Sequence, residues 1–144
     1  MNIAFFEIKE EEKAFFQSHL KGHTLFFFKG TIQAELTKEE SYDIVSLFIY
    51  SQIEDHLLSL LPNLKYLQTR SSGYEHMKCK SLYSRDMELS NVSGYAGPAV
   101  AEFAFSLLLN IARHTHIALE RSERGNGHYL DLKGFELQGK TVGS

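Results

Sequence analysis

Short apolar runs alternate with polar or amphipathic stretches along the first 92 residues of the chain. The segment "KEEEKAFFQSHLKGH" places Ala14, Phe15 and Leu20 among charged residues, and Gly22 stands where a helix C-cap would, which indicates an amphipathic helix. The run at 2–8 is rich in Ile and Phe, as a buried strand would be, and further strands are predicted at 24–28, 43–49, 65–70 and 87–92. The pattern predicts five strands separated by helix-length connections.

The connections decide the class of fold. Thr37 followed by Glu40 has the spacing of a capping box and predicts a helix start, and "QIEDHLLSLLPNL" predicts a helix closed by Pro62. Strands joined by helix-length segments favour right-handed crossovers and a parallel sheet. We therefore expect an α/β domain with a five-stranded, parallel, doubly wound, flavodoxin-like sheet and helices on both faces.

The stretch "NVSGYAGPAVAEFAFSLLLNIAR" combines turn residues with a helix predicted at 98–113. Gly94 and Gly97 permit turn conformations, and Pro98 suits the first turn of a helix. The helix is apolar on both faces, which normally means burial on both. The predicted sheet covers one face, so the other requires a second domain, a second copy or a rearranged terminus. Glu102, within this helix, is expected to be buried and paired with Arg70 or with backbone donors.

Composition excludes several classes of function. The 144 residues are 43% hydrophobic and 23% charged, with a net charge of −3, as in ordinary globular proteins. No basic stripe points to nucleic acid or to an anionic membrane, and the longest apolar run, 103–109, is too short to cross a bilayer. The N-terminus does not resemble a signal peptide, and the single cysteine, Cys79, excludes an internal disulfide. These features favour a cytoplasmic setting.

The sequence gives little support for a metal site, a nucleophilic cysteine or a phosphate-binding site. His114 and His116 are two residues apart and would point to nearly opposite sides of a helix, so no metal site is predicted. Cys79 has no identifiable base and is interpreted as a bystander. The turn "EIKEEEK" after the first strand lacks the Ser, Thr and Gly of a phosphate loop, and the acidic pair of a phospho-receiver is missing. This argues against flavin mononucleotide and phospho-receiver functions.

The segments "YLQTRSSGYEHM", "ELSNVSGYAGPAVAEFAFSLLLNIAR" and "LQGKTVG" resemble the D-isomer-specific 2-hydroxyacid dehydrogenases. The resemblance covers nearly the whole chain and is most specific over residues 65–113. It implies a substrate domain at 1–119, including the long helix, and a linker with the start of a separate NAD-binding domain at 120–144. The family's catalytic Arg, Glu and His, and a G-x-G-x-x-G loop for NAD, have no counterparts here. The resemblance thus implies no catalytic, cofactor-binding or metal-binding residue in this chain.

The resemblance also implies the substrate-binding residues. The backbone N–H groups of Ser72 and Gly73, in the turn after the fourth strand, are expected to bind the substrate carboxylate. Tyr95 is expected to line the pocket, and Arg70 is a further candidate for contact with the carboxylate. The sequence departs from the family pattern at Ser93, where Pro is common, and in the order of 96–98.

Two functions remain open from the sequence. In the first, this is the substrate domain of an NAD-dependent dehydrogenase acting on a small 2-hydroxy or 2-keto acid, inactive without its NAD-binding domain. In the second, it is a non-enzymatic flavodoxin-like module that self-associates as a homodimer through the apolar helix at 98–113.

Overall fold

The computed structural model describes residues 1–77 and 79–143. The chain divides into two compact units, Met1–Tyr95 and Ala96–Ser144, which are described separately. The predicted substrate domain, 1–119, extends beyond the first unit. The elements of the first unit, in chain order, are β1 (Asn2–Phe5), α1 (Glu10–His19), β2 (Thr24–Phe27), α2 (Ile32–Glu35), β3 (Ile44–Leu47), α3 (Asp55–Ser59), β4 (Tyr66–Thr69), two short 3-10 helices (Glu75–Met77 and Lys80–Leu82) and β5 (Glu88–Ser90).

The five strands form one parallel sheet in the order β2-β1-β3-β4-β5. This is the strand order of flavodoxin-like sheets, and the prediction of a five-stranded parallel α/β sheet is confirmed. In register, Phe5 pairs with Phe27 and Ser46, and Gln68 pairs with Ser90. Each strand is shorter than its predicted run. All five runs extend past the carboxyl end of the strand, and those at 43–49, 65–70 and 87–92 also begin one residue before it.

Successive strand residues point to opposite faces of the sheet, and the core divides accordingly. The larger cluster includes Ala4, Val45 and Leu67 from the strands, with Ile32 of α2 and Leu58 of α3. On the other face Ile3 and Phe5 pack with partly buried residues of α1, and the Phe5 and Phe16 rings lie 4.4 Å apart. Helices therefore cover both faces of the sheet.

The helix start predicted at Thr37 is wrong. Helix α2 ends at Glu35, before this residue, and residues 36–43 are not helical. The Glu40 backbone N–H donates to the Leu60 carbonyl at 2.9 Å, a long-range contact that replaces local helix bonding. A Glu at the third helical position does act as a cap at the start of α1, where Glu12 Oε2 accepts from the Lys9 N–H at 2.8 Å.

The second unit contains α4 (Gly97–Arg113) and α5 (Thr115–Glu123). His114 joins them in a left-handed conformation, φ 53°. Further along the chain, the Phe135 N–H donates to the Ala112 carbonyl at 2.9 Å, and Gly134 packs closely on the same carbonyl. A side chain at position 134 would collide with the backbone there, so this approach requires glycine.

The apolar side chains of α4 are largely exposed. Phe103 is 65% exposed and Phe105, on the other face, 59%, while Ala112 is buried. The expectation of a buried Glu102 is wrong, because this residue is exposed. Residues 1–77 and 79–143 include no helix with the length and apolar character needed to cross a membrane.

Candidate functional site

The turn after β4 lies at the carboxyl edge of the sheet, where open α/β sheets bind ligands. The Ser71 carbonyl accepts from the Val92 N–H at 3.0 Å, and the Ser72 carbonyl accepts from Asn91 Nδ2 at 2.7 Å. Both carbonyls thus face the segment after β5. In a trans peptide the N–H of the next residue points in the direction opposite to the carbonyl, and none of the described peptide bonds is cis. The N–H groups of Ser72 and Gly73 therefore share the side of the turn that faces away from 91–92.

These two N–H groups have no acceptor among the residues that the structure describes. Ser72 is partly exposed and Gly73 is exposed, so the groups are accessible. Adjacent backbone N–H groups on one side of a turn form an anion-binding nest. We call Ser71–Gly73 the anion turn. The sequence analysis predicted that the N–H groups of Ser72 and Gly73 in this turn bind a substrate carboxylate.

A hydrogen-bond network of largely buried side chains holds the anion turn in place. Ser71 Oγ donates to the Gly73 carbonyl at 2.7 Å and lies 2.6 Å from Thr69 Oγ1. Thr69 Oγ1 also lies 3.0 Å from Nε2 of His76. Burial lowers the pKa of His76, although the charges of Glu7 and Glu75 oppose this effect. Both Thr69 and Ser71 are buried, and a fully bonded network of this kind fixes the turn.

Arg70 uses most of its donors within the fold. Nη1 donates to the carbonyl and the hydroxyl of Ser46, at 3.1 Å each, and Nη2 donates to the carbonyls of Phe6 and Glu7 at 2.8 and 3.1 Å. Burial lowers the pKa of the guanidinium, opposed by Glu12 and Glu7. Among described residues, only the Nε–H of its five donors lacks an acceptor. Arg70 can therefore give an anion one hydrogen bond and its positive charge.

Tyr95, the last residue of the first unit, is 61% exposed. Within the described part of that unit, no hydrogen bond or ring contact joins it to the anion turn. Ser72 and Gly73 thus lie in the turn that directly follows Arg70, the guanidinium of Arg70 bonds to Ser46, Phe6 and Glu7, and the Tyr95 side chain is exposed.

Glu7 is a site residue that the sequence analysis missed. Its carboxylate accepts from the backbone N–H groups of Phe48, Tyr50 and Ser51 at 3.3, 2.8 and 2.8 Å. Glu7 is left-handed, with φ 55°, and its own N–H donates to the Gly30 carbonyl at 2.9 Å. The residue therefore bonds to the segments after β2 and β3 and accepts from Arg70 after β4.

Asn91, Thr69 and His76 were also missed as supports of the anion turn. Their only sequence signal is position: Thr69 ends β4, and Asn91 follows β5 directly. Glu7 likewise lies two residues beyond β1. Position at a strand end indicates that a residue is near the ligand-binding edge, but it does not indicate its hydrogen-bond partner. The described residues contain no group of three His, Cys, Asp or Glu that could hold a metal ion.

The chain is similar to proteins of one known family. Residues 3–128 match the family model described as "D-isomer specific 2-hydroxyacid dehydrogenase, catalytic domain". A 2-hydroxyacid dehydrogenase A of Aspergillus oryzae is 27% identical over 99% of this chain and 44% of its own length. A D-lactate dehydrogenase of Curvularia clavata is 33% identical over 70% of this chain and 30% of its own length.

A solved structure agrees with these matches. The D-lactate dehydrogenase of Aquifex aeolicus, in complex with NAD and lactic acid, superposes with a TM-score of 0.83 at 25% identity, over 94% of this chain and 41% of that one. The chain thus spans less than half the length of the Aspergillus and Aquifex proteins.

Proposed function

The chain belongs to the D-isomer specific 2-hydroxyacid dehydrogenase family, through its catalytic domain, and on this premise we propose that residues 1–119 are the substrate domain of a longer NAD-dependent enzyme. The whole enzyme would transfer hydride between nicotinamide and C2 of a small 2-hydroxy or 2-keto acid. The part played by this domain is to hold the substrate's carboxylate.

The pair of unbonded N–H groups in the anion turn is the observation that carries the proposal. Ser72 and Gly73 donate to the two carboxylate oxygens, and the contacts of Asn91 and Val92 with the turn carbonyls keep both donors oriented before substrate arrives. Preorganised donors bind an anion without the cost of ordering a loop. A Cβ at position 73 would lie 3.1 Å from Glu75 Oε2, so a larger residue there would require the Glu75 side chain to shift.

Arg70 and Tyr95 have supporting roles in this proposal. Arg70 contributes long-range attraction for the carboxylate and one hydrogen bond through its Nε–H. Tyr95 lines the pocket once the remainder of the enzyme closes over the carboxyl edge of the sheet. Its exposure of 61% leaves the ring available for such a contact.

The residues of this chain do not fit NAD. The sequence has no G-x-G-x-x-G loop, and α1, which follows the first strand, carries Glu10, Glu11 and Glu12 in its first turn. These carboxylates would repel a pyrophosphate at the place where a dinucleotide-binding helix would accept one. We therefore assign NAD to a separate domain, the partner of this one, and expect this chain alone to be inactive.

Titration of the ¹⁵N-labelled chain with pyruvate tests the proposed site. We expect saturable amide shifts at Ser72 and Gly73, and no oxidation of NADH by the purified chain with pyruvate, glyoxylate or hydroxypyruvate. Gly73→Ala should weaken the response, while Gly127→Ala, at an exposed glycine in open space, should not. Unperturbed Ser72 and Gly73 amides at saturating pyruvate, or turnover by the chain alone, would contradict the proposal.

Self-association is a second candidate function, favoured by the exposed apolar side chains of α4. Each large side chain gains about 1.5–3 kcal/mol when it is fully buried, and a contiguous apolar surface of this kind marks an interface. In this alternative the chain forms a homodimer through α4 and needs no catalytic partner.

A cytoplasmic location is also proposed. Its support is the single cysteine, Cys79, which is free in the structure, as is usual in reducing compartments. Burial raises the pKa of this thiol, which lowers the fraction present as the reactive thiolate.

A further inference from the structure

The crevice between β1 and β3 is the point where the strand order of this sheet reverses. The order β2-β1-β3-β4-β5 places β2 on one side of β1 and the later strands on the other. In open α/β sheets such a switch point forms a crevice at the carboxyl ends of the strands, and ligands bind there. In this chain the crevice already holds an anion of its own, the carboxylate of Glu7.

Backbone N–H groups of the segment 48–51 converge on that carboxylate. Oε2 accepts from Phe48 and Ser51, and Oε1 accepts from Tyr50. Three N–H groups bonded to one carboxylate form an anion-binding nest of the kind that also binds free anions. Hydrogen bonds to a charged group are about twice as strong as neutral ones. The nest is therefore a built anion site whose ligand is part of the chain.

The backbone of Glu7 is held so that its side chain remains in this crevice. Its φ of 55° lies in the left-handed region, which disfavours residues with a Cβ. The Gly30 carbonyl and Arg70 Nη2 bond its N–H and its carbonyl. A strained residue that the surrounding structure fixes so completely indicates a functional constraint.

We propose that Glu7 is a specificity-determining residue, an internal anion that fills the nest of Phe48, Tyr50 and Ser51 and so confines the substrate carboxylate to the anion turn. Two nests lie at the same edge of the sheet, one after β3 and one after β4. With Glu7 in the first, only the second can bind a free carboxylate, which fixes where the substrate binds. This inference rests on the proposed function of the anion turn.

The variant Glu7→Gly tests the inference by emptying the nest. Glycine adopts a φ of 55° without strain, so the backbone is preserved while the carboxylate is removed. Acetate is the probe, because it carries the same carboxylate as the lost side chain. We expect acetate to cause saturable shifts at the Tyr50 and Ser51 amides of Glu7→Gly, and no such shifts in the natural chain. His114→Gly is the matched control, since His114 is the other described non-glycine residue with a left-handed φ.

The same samples separate this inference from the proposed function. Pyruvate should perturb Ser72 and Gly73 in both chains, but Tyr50 and Ser51 in Glu7→Gly alone. If pyruvate causes no amide shifts at Ser72 and Gly73 in the natural chain, the proposed function of the anion turn is contradicted, independently of the result for Glu7→Gly. The role of Glu7 would be overturned if acetate caused no shifts at the Tyr50 and Ser51 amides of Glu7→Gly. It would also be overturned if acetate shifted these amides equally in the natural chain.

A second variant covers the case in which Glu7→Gly does not fold. Glu7→Gln keeps the size of the side chain but removes its charge, so the hydrogen bonds to Tyr50 and Ser51 weaken. We expect hydrogen exchange of these two amides to accelerate by about tenfold or more, as follows from losing charge-assisted bonds. Exchange in β1 should not change. Equal exchange at Tyr50 and Ser51 in both chains would rule out Glu7 as the anion of the nest.

Discussion

Helices α3 and α4 both contain consecutive leucines, yet most apolar side chains of α4 are exposed while the leucines of α3 are buried. Leu57 and Leu58 of α3 are 2% and 0% exposed and belong to the larger core cluster, whereas Leu109 of α4 is 50% exposed. Both helices carry apolar residues at helical spacing. The difference shows that apolar spacing identifies side chains that would be stabilised by burial, but it does not show whether this chain provides the surface that buries them. The first measurement below compares the two helices directly, the second tests α4 as an interface, and the third concerns an exposed ion pair after α4.

The largest effect is expected from matched leucine truncations. Leu58→Ala should lower the free energy of unfolding by about 2–5 kcal/mol, because it opens a cavity in a closed core. Leu109→Ala should change it by less than about 0.5 kcal/mol, as for other exposed positions. Urea denaturation of both variants beside the natural chain measures the two values. A loss at Leu109 comparable to that at Leu58 would show that α4 is covered in solution.

An intermediate effect is expected for self-association through α4. If the homodimer forms, Phe103→Glu places a charge in the apolar interface and should weaken dimerisation by at least about tenfold, or about 1.4 kcal/mol. Light scattering across a concentration series on a size-exclusion column measures the dissociation constant. Phe15→Glu, at a comparably exposed phenylalanine of α1, is the control and should leave it unchanged. A natural chain that stays monomeric at all concentrations would exclude the homodimer.

The smallest effect is expected at Asp131, which is exposed and paired with Arg121. Nη1 and Nη2 of Arg121 donate to Oδ1 and Oδ2 of Asp131 at 2.6 and 2.7 Å. These hydrogen bonds hold the pKa of Asp131 well below its usual range. A lowered carboxyl pKa stabilises the folded chain above the unfolded value of about 3.9 and loses that effect as pH falls.

The resulting pH dependence is local, because exposed ion pairs contribute little to global stability. Hydrogen exchange near residues 128–131 should accelerate as pH is lowered from 6 toward 3, after correction for intrinsic exchange. Asp131→Asn should show fast corrected exchange at every pH, and Asp86→Asn should behave as the natural chain does. A pH-independent ratio between Asp131→Asn and the natural chain would refute the role of the ion pair.

The candidate site was predictable only in part. Ser72 and Gly73 were identified by resemblance to a family motif, and the structure places them at the carboxyl edge of the sheet with their N–H groups unbonded. Glu7 and Asn91 carried no comparable signal, because their partners lie 41 or more and 19 residues away in sequence. Arg70 was identified, but its four hydrogen bonds to Ser46, Phe6 and Glu7 were not.

The sequence by itself determined the order of the five strands and the family, because these depend on local periodicity and on residues that lie close together along the chain. The tertiary structure alone decided which backbone N–H groups remain unbonded in the anion turn and which are taken up by Glu7. It also decided that the side chains of α4 are exposed. The physical reason is that hydrogen-bond partners and covering surfaces come from distant segments, whose positions are set only when the strands have paired.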